Sequence, residues 1–177
     1  MSALSASRRG AIFFDRDGVL NEDLGFVHRV ADFRWIEGAR QAVKMVNEAG
    51  LLAIVVTNQS GVARGYFDEE DVRGLHDWMA KDLAEVGARI DAFYYCPYHE
   101  QATVPAYRFV DHPDRKPNPG MILRAMREFA IDPSRAVAIG DKARDVEAGR
   151  RAGVGARLFA GGSLAPVIAQ ILADLAR

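Results

Sequence analysis

Two carboxylates, Asp15 and Asp17, are separated by a single residue and followed directly by Gly18. In an extended chain, side chains at positions i and i+2 point the same way, so both carboxylates can converge on one site. One of them can attack as a nucleophile while the other handles the proton of a leaving oxygen. Taken alone, the segment is better explained as a solvated acidic turn or a calcium-binding loop.

Three further polar segments complement this pair. Residues 57–61 combine the Thr57 hydroxyl with backbone N–H groups, which form either an anion cradle or an ordinary turn. Prolines around Lys116 stiffen the chain and hold its ammonium in place, as a transferring phosphoryl group requires, although exposed basic turns are commoner. Asp141 can join Asp15 around a hard cation such as Mg²⁺ and can also cap a helix.

The elements that position these segments alternate between short apolar runs and amphipathic stretches. The apolar runs predict buried parallel strands at residues 11–14, 51–56, 92–95, 136–139 and 156–159. Apolar residues at helical spacing predict helices over 37–49, 68–87, 119–129, 146–152 and 164–175. The alternation predicts an α/β fold, a Rossmann-like parallel sheet with helices on both faces. His76, in the second helix, is interpreted as a surface or helix-flank histidine.

Each polar segment follows a predicted strand, and ligands of such sheets bind beyond the carboxyl ends of the strands. The stretches between Asp15 and Thr57 and between Thr57 and Lys116 are too short for a separate cap of ordinary size. We therefore expect one domain over residues 1–177, with no large cap domain, an open site and a loose tail over 1–10. The loops left to recognise a substrate are residues 21–34, 64–67 and 96–114.

The composition is that of a soluble globular protein, with 49% apolar and 27% charged residues. A net charge of -1 gives no whole-chain attraction to nucleic acid or to an anionic membrane. Cys96 is the only cysteine, so no intramolecular disulfide can form, and no signal peptide is recognised. The apolar runs are far shorter than the ~20 residues of a membrane span. We expect a cytoplasmic monomer without nucleic-acid or membrane partners.

In order and spacing, the four segments together resemble the motifs of the haloacid dehalogenase superfamily. They are DRDGV at 15–19, TNQSG at 57–61, RKP at 115–117 and GDKARD at 140–145. TNQSGVARGYF and RKPNPGM are similar to the branch of D-glycero-D-manno-heptose-1,7-bisphosphate phosphatases and histidinol-phosphate phosphatases. The resemblance implies a Mg²⁺-dependent phosphatase of carbohydrate metabolism, in heptose biosynthesis, that hydrolyses a small phosphorylated metabolite through a phospho-aspartate.

The resemblance also implies a role for each matched residue. Asp15 would attack phosphorus, and Asp17 would act as general acid and then as general base. Asp15, the backbone oxygen of Asp17 and Asp141 would hold Mg²⁺, and Asp145 would bind a water beside it or orient Lys142. The residues expected to bind the phosphoryl group are Thr57 and Lys116, and those expected to contact the rest of the substrate are Asn58, Arg64, Arg115 and Lys142.

One segment departs from the branch, which carries a structural zinc loop of Cys-x-His followed by Cys-x-Cys. Here residues 96–99 read Cys-Pro-Tyr-His and residues 112–114 read His-Pro-Asp, so a tyrosine and no second cysteine occupy the ligand positions. Cys, His and Asp all serve as zinc ligands, which leaves Cys96, His99, His112 and Asp114 as an alternative metal set. We expect instead a loop without zinc, packed by Tyr98, Tyr107 and Phe109.

Several functions share this core. Heptose bisphosphate is the leading substrate, and histidinol phosphate is the near alternative because the two activities share these motifs. A polynucleotide 3′-phosphatase would need a basic track, which the net charge of -1 does not support. A non-catalytic phosphate-binding protein would lack a catalytic carboxylate, yet Asp15, Asp17 and Asp141 are all present.

Overall fold

The computed structural model describes residues 9–177 and contains a five-stranded parallel sheet. The strands are β1 Arg9–Phe14, β2 Leu52–Asn58, β3 Ala92–Cys96, β4 Ile131–Gly140 and β5 Gly155–Leu158, and their order is β3-β2-β1-β4-β5. The helices are α1 Ala39–Glu48, α2 Glu69–Ala84, α3 Gly120–Glu128, α4 Ala143–Ala152 and α5 Leu164–Leu175. The predicted α/β fold with a parallel sheet is confirmed.

Helices cover both faces of the sheet, and each face has its own apolar core. On β1, Ile12 and Phe14 face the helices α1, α2 and α5, whereas Phe13 faces α3 and α4. This alternation is the two-residue period of a strand, and both faces are apolar because both are buried. β1, in the centre of the sheet, is therefore fixed from both sides.

Two strand boundaries differ from the sequence prediction. β1 begins at Arg9, so the expectation of a loose tail over 1–10 is wrong for residues 9 and 10, and residues 1–8 lie outside the described part. β4 begins at Ile131 rather than at Ala136, because Arg9 pairs with Ile131 before a register shift at Ala11. The sequence does not predict the first half of β4, because its polar residues and its proline form neither an apolar run nor a two-residue period.

Helix α2 begins after Asp68 and ends before Gly87, the two residues that the sequence predicts at its ends. Asp68 is its N-cap, and its carboxylate accepts from the backbone N–H of Asp71 while the Asp71 carboxylate accepts from that of Asp68. This reciprocal cap satisfies N–H groups that have no partner within the helix. Beyond the last helical turn, Gly87 takes a left-handed conformation with φ of +72°.

Short connections replace a cap domain in this structure. Between β1 and β2 lie an irregular loop, a single 3-10 turn at Val30–Asp32 and α1. Between β3 and α3 lies another loop with a 3-10 turn at Pro105–Tyr107. The predicted absence of a large cap is confirmed, and the carboxyl edge of the sheet is bordered by loops alone. No helix among residues 9–177 combines the length and the apolar character that a membrane-crossing segment needs.

Candidate active site

Asp15 and Lys116 form a buried ion pair at the carboxyl edge of the sheet. Phe14 pairs with Val55 on one side and Ile139 on the other, so Asp15 emerges between β2 and β4. Lys116 Nζ donates to Asp15 Oδ1 at 2.8 Å and to the carbonyl of Val56 at 2.9 Å. Asp15 is 6% exposed and Lys116 4%. The structure thus brings together two predicted site residues that are far apart in the sequence.

Burial and charge act together on this pair. Burial raises the pKa of the Asp15 carboxyl to about 6, against the opposing attraction of the Lys116 ammonium. Burial also disfavours the charged ammonium, but the carboxylates of Asp15 and Asp145 outweigh it and raise the pKa of Lys116. Lys116 therefore stays a fixed positive charge, which is the property required of a phosphoryl-binding group.

Three carboxylates converge beside Lys116. Asp15, Asp141 and Asp145 each offer one oxygen within 4.8 Å of the others. Asp141 Oδ1 is buried and has no hydrogen-bond partner, which is costly unless a ligand satisfies it. Gly18, with φ of +88°, passes so close that a Cβ there would clash with the Asp141 carboxylate. This set of hard oxygen ligands fits a divalent cation such as Mg²⁺.

Asp145 has a contact that the sequence did not indicate. Its Oδ1 lies 2.8 Å from Lys116 Nζ, and its Oδ2 accepts from the backbone N–H of Lys142 at 3.0 Å. The N-cap of α4 is Lys142, so Asp141 does not cap this helix and its carboxylate is left for the site. The Lys142 ammonium instead pairs with Asp23 at 2.9 Å and with Asp141 at 3.3 Å, at the edge of the loop 21–34.

Asp17 does not belong to the carboxylate cluster and is held by side chains that sequence reasoning missed. Arg16 donates to both of its oxygens, and Asn21 Nδ2 donates to Oδ1 at 3.0 Å. Gln59 Nε2 donates to Asp17 Oδ2 and to Thr57 Oγ1, both at 2.9 Å. Gln59 therefore joins the two predicted site residues Asp17 and Thr57, and its place in the TNQSG segment is the only sequence signal for it.

Asn58 and Arg64, both expected to contact substrate, lie at the site with protein partners of their own. The Asn58 amide donates to the carbonyl of Lys116 at 3.1 Å and accepts from its N–H at 3.0 Å, so it fixes the lysine backbone. Arg64 Nη2 lies 3.5 Å from His99 Nε2, and its guanidinium lies over the Phe26 ring at 6.0 Å. Arg64 thus joins two of the loops that border the site.

Arg115 and Lys116 line a cleft of about 260 Å³ together with the acidic residues Glu100 and Asp111. Arg115 Nη1 donates to the carbonyl of Tyr98 at 3.2 Å. Burial lowers the pKa of Arg115, with further lowering by Arg144 and Arg64, although the Cys96 thiol acts the other way. Arg115 therefore places a second positive charge beside Lys116 in this cleft.

The loop expected to have lost zinc is packed by aromatic rings. The Tyr98 ring stacks on that of His112, with centroids 4.2 Å apart, and also contacts Phe109 and Tyr107. His99 accepts from the backbone N–H of Gln101 and contacts Arg64 rather than His112. Among residues 9–177, the only cluster of three or more His, Cys, Asp and Glu side chains whose ligand atoms converge is Asp15, Asp141 and Asp145. The absence of zinc itself stays a prediction.

Replacing Tyr98 with alanine is expected to lower the free energy of unfolding by about 2 kcal/mol, because it removes the ring that joins this stack. Chemical denaturation of the parent and the variant measures the difference. A strong zinc chelator is expected to leave the midpoint of the parent unchanged. A chelator-induced loss of stability with no effect of Tyr98→Ala would show that a metal, and not the stack, holds the loop.

Comparisons with known proteins agree with this geometry. A family model described as HAD-hydrolase-like matches residues 114–171. A D-glycero-beta-D-manno-heptose-1,7-bisphosphate 7-phosphatase of Rhodopseudomonas palustris is 44% identical over 98% of this chain and 96% of its own. A D-glycero-alpha-D-manno-heptose-1,7-bisphosphate 7-phosphatase of Burkholderia mallei is 44% identical over 84% of this chain and 78% of its own. The crystal structure of D,D-heptose 1,7-bisphosphate phosphatase from B. bronchiseptica, complexed with magnesium and phosphate, has a TM-score of 0.83 at 31% identity and covers 93% of this chain and 99% of that one.

Proposed function

Since this chain belongs to the heptose-1,7-bisphosphate 7-phosphatase family of HAD-like hydrolases, we propose that it removes the 7-phosphate of this sugar through a phosphoryl group carried on Asp15. The single observation that carries the proposal is the buried Asp15 carboxylate, 2.8 Å from the Lys116 ammonium at the convergence of the strand ends. A buried carboxylate beside a fixed cation and an ion site is suited to attack on a dianionic phosphoryl group.

Two displacements on phosphorus account for the reaction. An Asp15 oxygen attacks phosphorus, the bond to the sugar oxygen breaks, and Asp17 gives that oxygen its proton. Water then attacks the phospho-aspartate, Asp17 takes a proton from it, and inorganic phosphate and the Asp15 carboxylate are released. Lys116 and the Thr57 hydroxyl bind the phosphoryl oxygens throughout, and Asn58 and Asp145 hold Lys116 in place.

A magnesium ion is proposed as the cofactor. Asp15, Asp141 and the backbone oxygen of Asp17 would hold it, with Asp145 beside them. The unpartnered Asp141 oxygen and the convergence of the three carboxylates support this assignment. When bound, the ion supplies positive charge that neutralises the phosphoryl oxygens.

The second phosphate of the sugar is proposed to bind in the cleft beside Lys116, next to Arg115. Arg115 lines this cleft, and Arg64, which contacts the cleft residue His99, is proposed to reach the same phosphate. Lys142, which pairs with Asp23 and with Asp141 of the carboxylate cluster, is also proposed to contact the substrate. A single-domain chain, a monomeric state and a cytoplasmic location stay predictions of the sequence.

Phosphate release from a panel of phosphomonoesters, with Mg²⁺ and with a chelator added, tests the proposed function. The panel includes both anomers of the heptose bisphosphate, because the Rhodopseudomonas palustris and Burkholderia mallei relatives, each 44% identical, are named for opposite anomers. Histidinol phosphate and a 3′-phosphorylated oligonucleotide complete it. We expect hydrolysis of a heptose bisphosphate that the chelator abolishes and added Mg²⁺ restores.

Other outcomes of the panel contradict the proposal in different ways. A preference for histidinol phosphate or the oligonucleotide would keep the chemistry and change the substrate. Release that is insensitive to the chelator would remove the metal from the reaction. No release from any ester with Mg²⁺ present would favour a phosphate-binding protein without catalysis.

A further inference from the structure

Arg16, between the two aspartates of the DRDG segment, is a fully buried arginine with 0% of its surface exposed. Its Nη2 donates to Asp17 Oδ1 at 3.0 Å, to Asp17 Oδ2 at 3.1 Å and to the carbonyl of Val27 at 2.6 Å. Its own backbone N–H donates to Asp15 Oδ1 at 2.8 Å. The residue therefore contacts both aspartates of the segment and a loop that borders the site.

The other terminal nitrogen of the guanidinium, Nη1, contacts helix α2. Arg16 Nη1 lies 3.4 Å from Nε2 of His76, and because a guanidinium has only donors, that nitrogen is the acceptor. The His76 ring is 4% exposed and stacks on Phe93 with centroids 4.6 Å apart. The interpretation of His76 as a surface or helix-flank residue is therefore wrong. Burial and the neighbouring Arg16 lower the pKa of His76 to about 3, so the ring is neutral and able to accept.

Stability alone does not explain an ion pair in which Arg16 is fully buried and Asp17 is 19% exposed. Replacing a buried pair by apolar residues of similar volume is often neutral or stabilising, since the charges lose their hydration. The pair instead fixes the orientation of Asp17. A planar guanidinium that donates to both oxygens of a carboxylate holds the plane of that carboxylate, which an ammonium cannot do. The contacts to His76 and Val27 in turn fix the guanidinium from two other elements.

We propose that Arg16, supported by His76, is a positioning residue that, beside Asn21 and Gln59, aims the Asp17 carboxyl at the leaving oxygen. The inference rests on the proposed function, in which Asp17 gives and takes the proton. Arg16 itself touches neither the substrate nor the reacting atoms. Its loss should therefore impair proton transfer to a poor leaving group and spare the attack by Asp15.

Two esters with different leaving groups separate these steps. The sugar oxygen of heptose bisphosphate needs a proton as the P–O bond breaks, whereas p-nitrophenolate leaves as a stable anion without one. Both reactions form the same phospho-aspartate on Asp15, so only the demand for the proton differs. The subsequent attack by water needs Asp17 as a base in both cases.

For Arg16→Lys, which keeps the charge and loses the planar fork, we expect kcat/KM on heptose bisphosphate to fall by about 100-fold. With p-nitrophenyl phosphate, the first equivalent of nitrophenolate should appear at the parent rate in stopped flow, followed by slow turnover. Arg89→Lys is the matched control, because Arg89 is exposed, its Nε donates to Asp91, and the pair lies before β3, at the edge of the sheet opposite the site. It should match the parent on both esters.

Asp17→Asn, measured on the same two esters, separates a failure of this inference from a failure of the proposed function. Suppose that Asp17→Asn loses rate on heptose bisphosphate but keeps the nitrophenolate burst, whereas Arg16→Lys loses both equally or loses neither. The positioning role of Arg16 is then overturned, and the proposed function stands. If Asp17→Asn itself keeps the parent rate on heptose bisphosphate, the assigned role of Asp17 is wrong.

His76→Phe provides a second variant that decides the question if Arg16→Lys does not fold. Phenylalanine keeps a ring against Phe93 and removes the nitrogen that accepts from Arg16. We expect a smaller loss of the same selective kind, on heptose bisphosphate and not in the nitrophenolate burst. A loss shared equally by both esters, or no loss in a folded protein, would overturn the role given to the pair.

Discussion

Asp15→Asn is expected to abolish the hydrolysis of heptose bisphosphate while leaving the chain folded. The amide is a poor nucleophile and cannot carry the phosphoryl group, so turnover should fall by roughly 10⁵-fold. Phosphate release at saturating Mg²⁺ measures the loss. Acid quench of the parent during turnover should trap a phosphorylated chain, and the variant should give none.

The fold should tolerate this change because it removes a carboxylate whose charged form is disfavoured at this buried position. Burial raises the pKa of Asp15 to about 6, which shows that the charged form is disfavoured there, and Lys116 keeps Asp145 as a partner at 2.8 Å. Thermal unfolding and circular dichroism check this point. Asp174→Asn, on α5, is the matched control and should leave the rate unchanged. Turnover at the parent rate in Asp15→Asn would remove Asp15 as the nucleophile.

Lys116→Ala is expected to lower kcat by about 10³-fold, because the transferring phosphoryl group loses a fixed, buried counter-charge. The same change leaves the carboxylates of Asp15 and Asp145 facing each other without the ammonium that joins them. We therefore expect a loss of stability as well, by about 3 kcal/mol, because buried charge is left uncompensated.

The loss of rate and the loss of stability in Lys116→Ala are measured separately. Steady-state phosphate release gives the rate at a temperature where the variant is folded, and urea denaturation gives the free energy of unfolding. Lys81→Ala, in the exposed last turn of α2, is the control for removing a lysine and should change neither quantity. A folded Lys116→Ala with the parent kcat would exclude Lys116 from the mechanism.

The fold could be predicted from the sequence because its strands and helices have unambiguous periods. Residues 11–14 and 51–56 are continuous apolar runs, and α2 begins at a predicted cap and ends before Gly87. Because parallel strands align their carboxyl ends, this reading also placed Asp15, Lys116 and Asp141 at one edge. The first half of β4 could not be predicted, since its pairing with Arg9 is a tertiary effect without a local pattern.

Buried polar residues of the site were the part that the sequence did not indicate. An arginine between two aspartates is ordinarily solvated, and only the closure of α2 and the loop 21–34 over Arg16 buries it. His76 could have been found, because Val72, His76, Met79 and Leu83 share one helical face and all are buried. The Lys116–Asp145 contact joins two segments on different elements, and no spacing rule connects them.

The strand order also governs when the protein can become active during its synthesis. β1, which is translated early, is followed by Asp15, the proposed nucleophile, yet it pairs with β4 as well as with β2. Asp141 and Asp145 follow β4, so the ion site and the second partner of Lys116 do not exist until that strand has emerged from the ribosome. Pairings between distant segments also form slowly. We therefore expect a nascent chain to hydrolyse phosphate esters only after Asp145 has emerged, so that activity reports the pairing of β1 with β4.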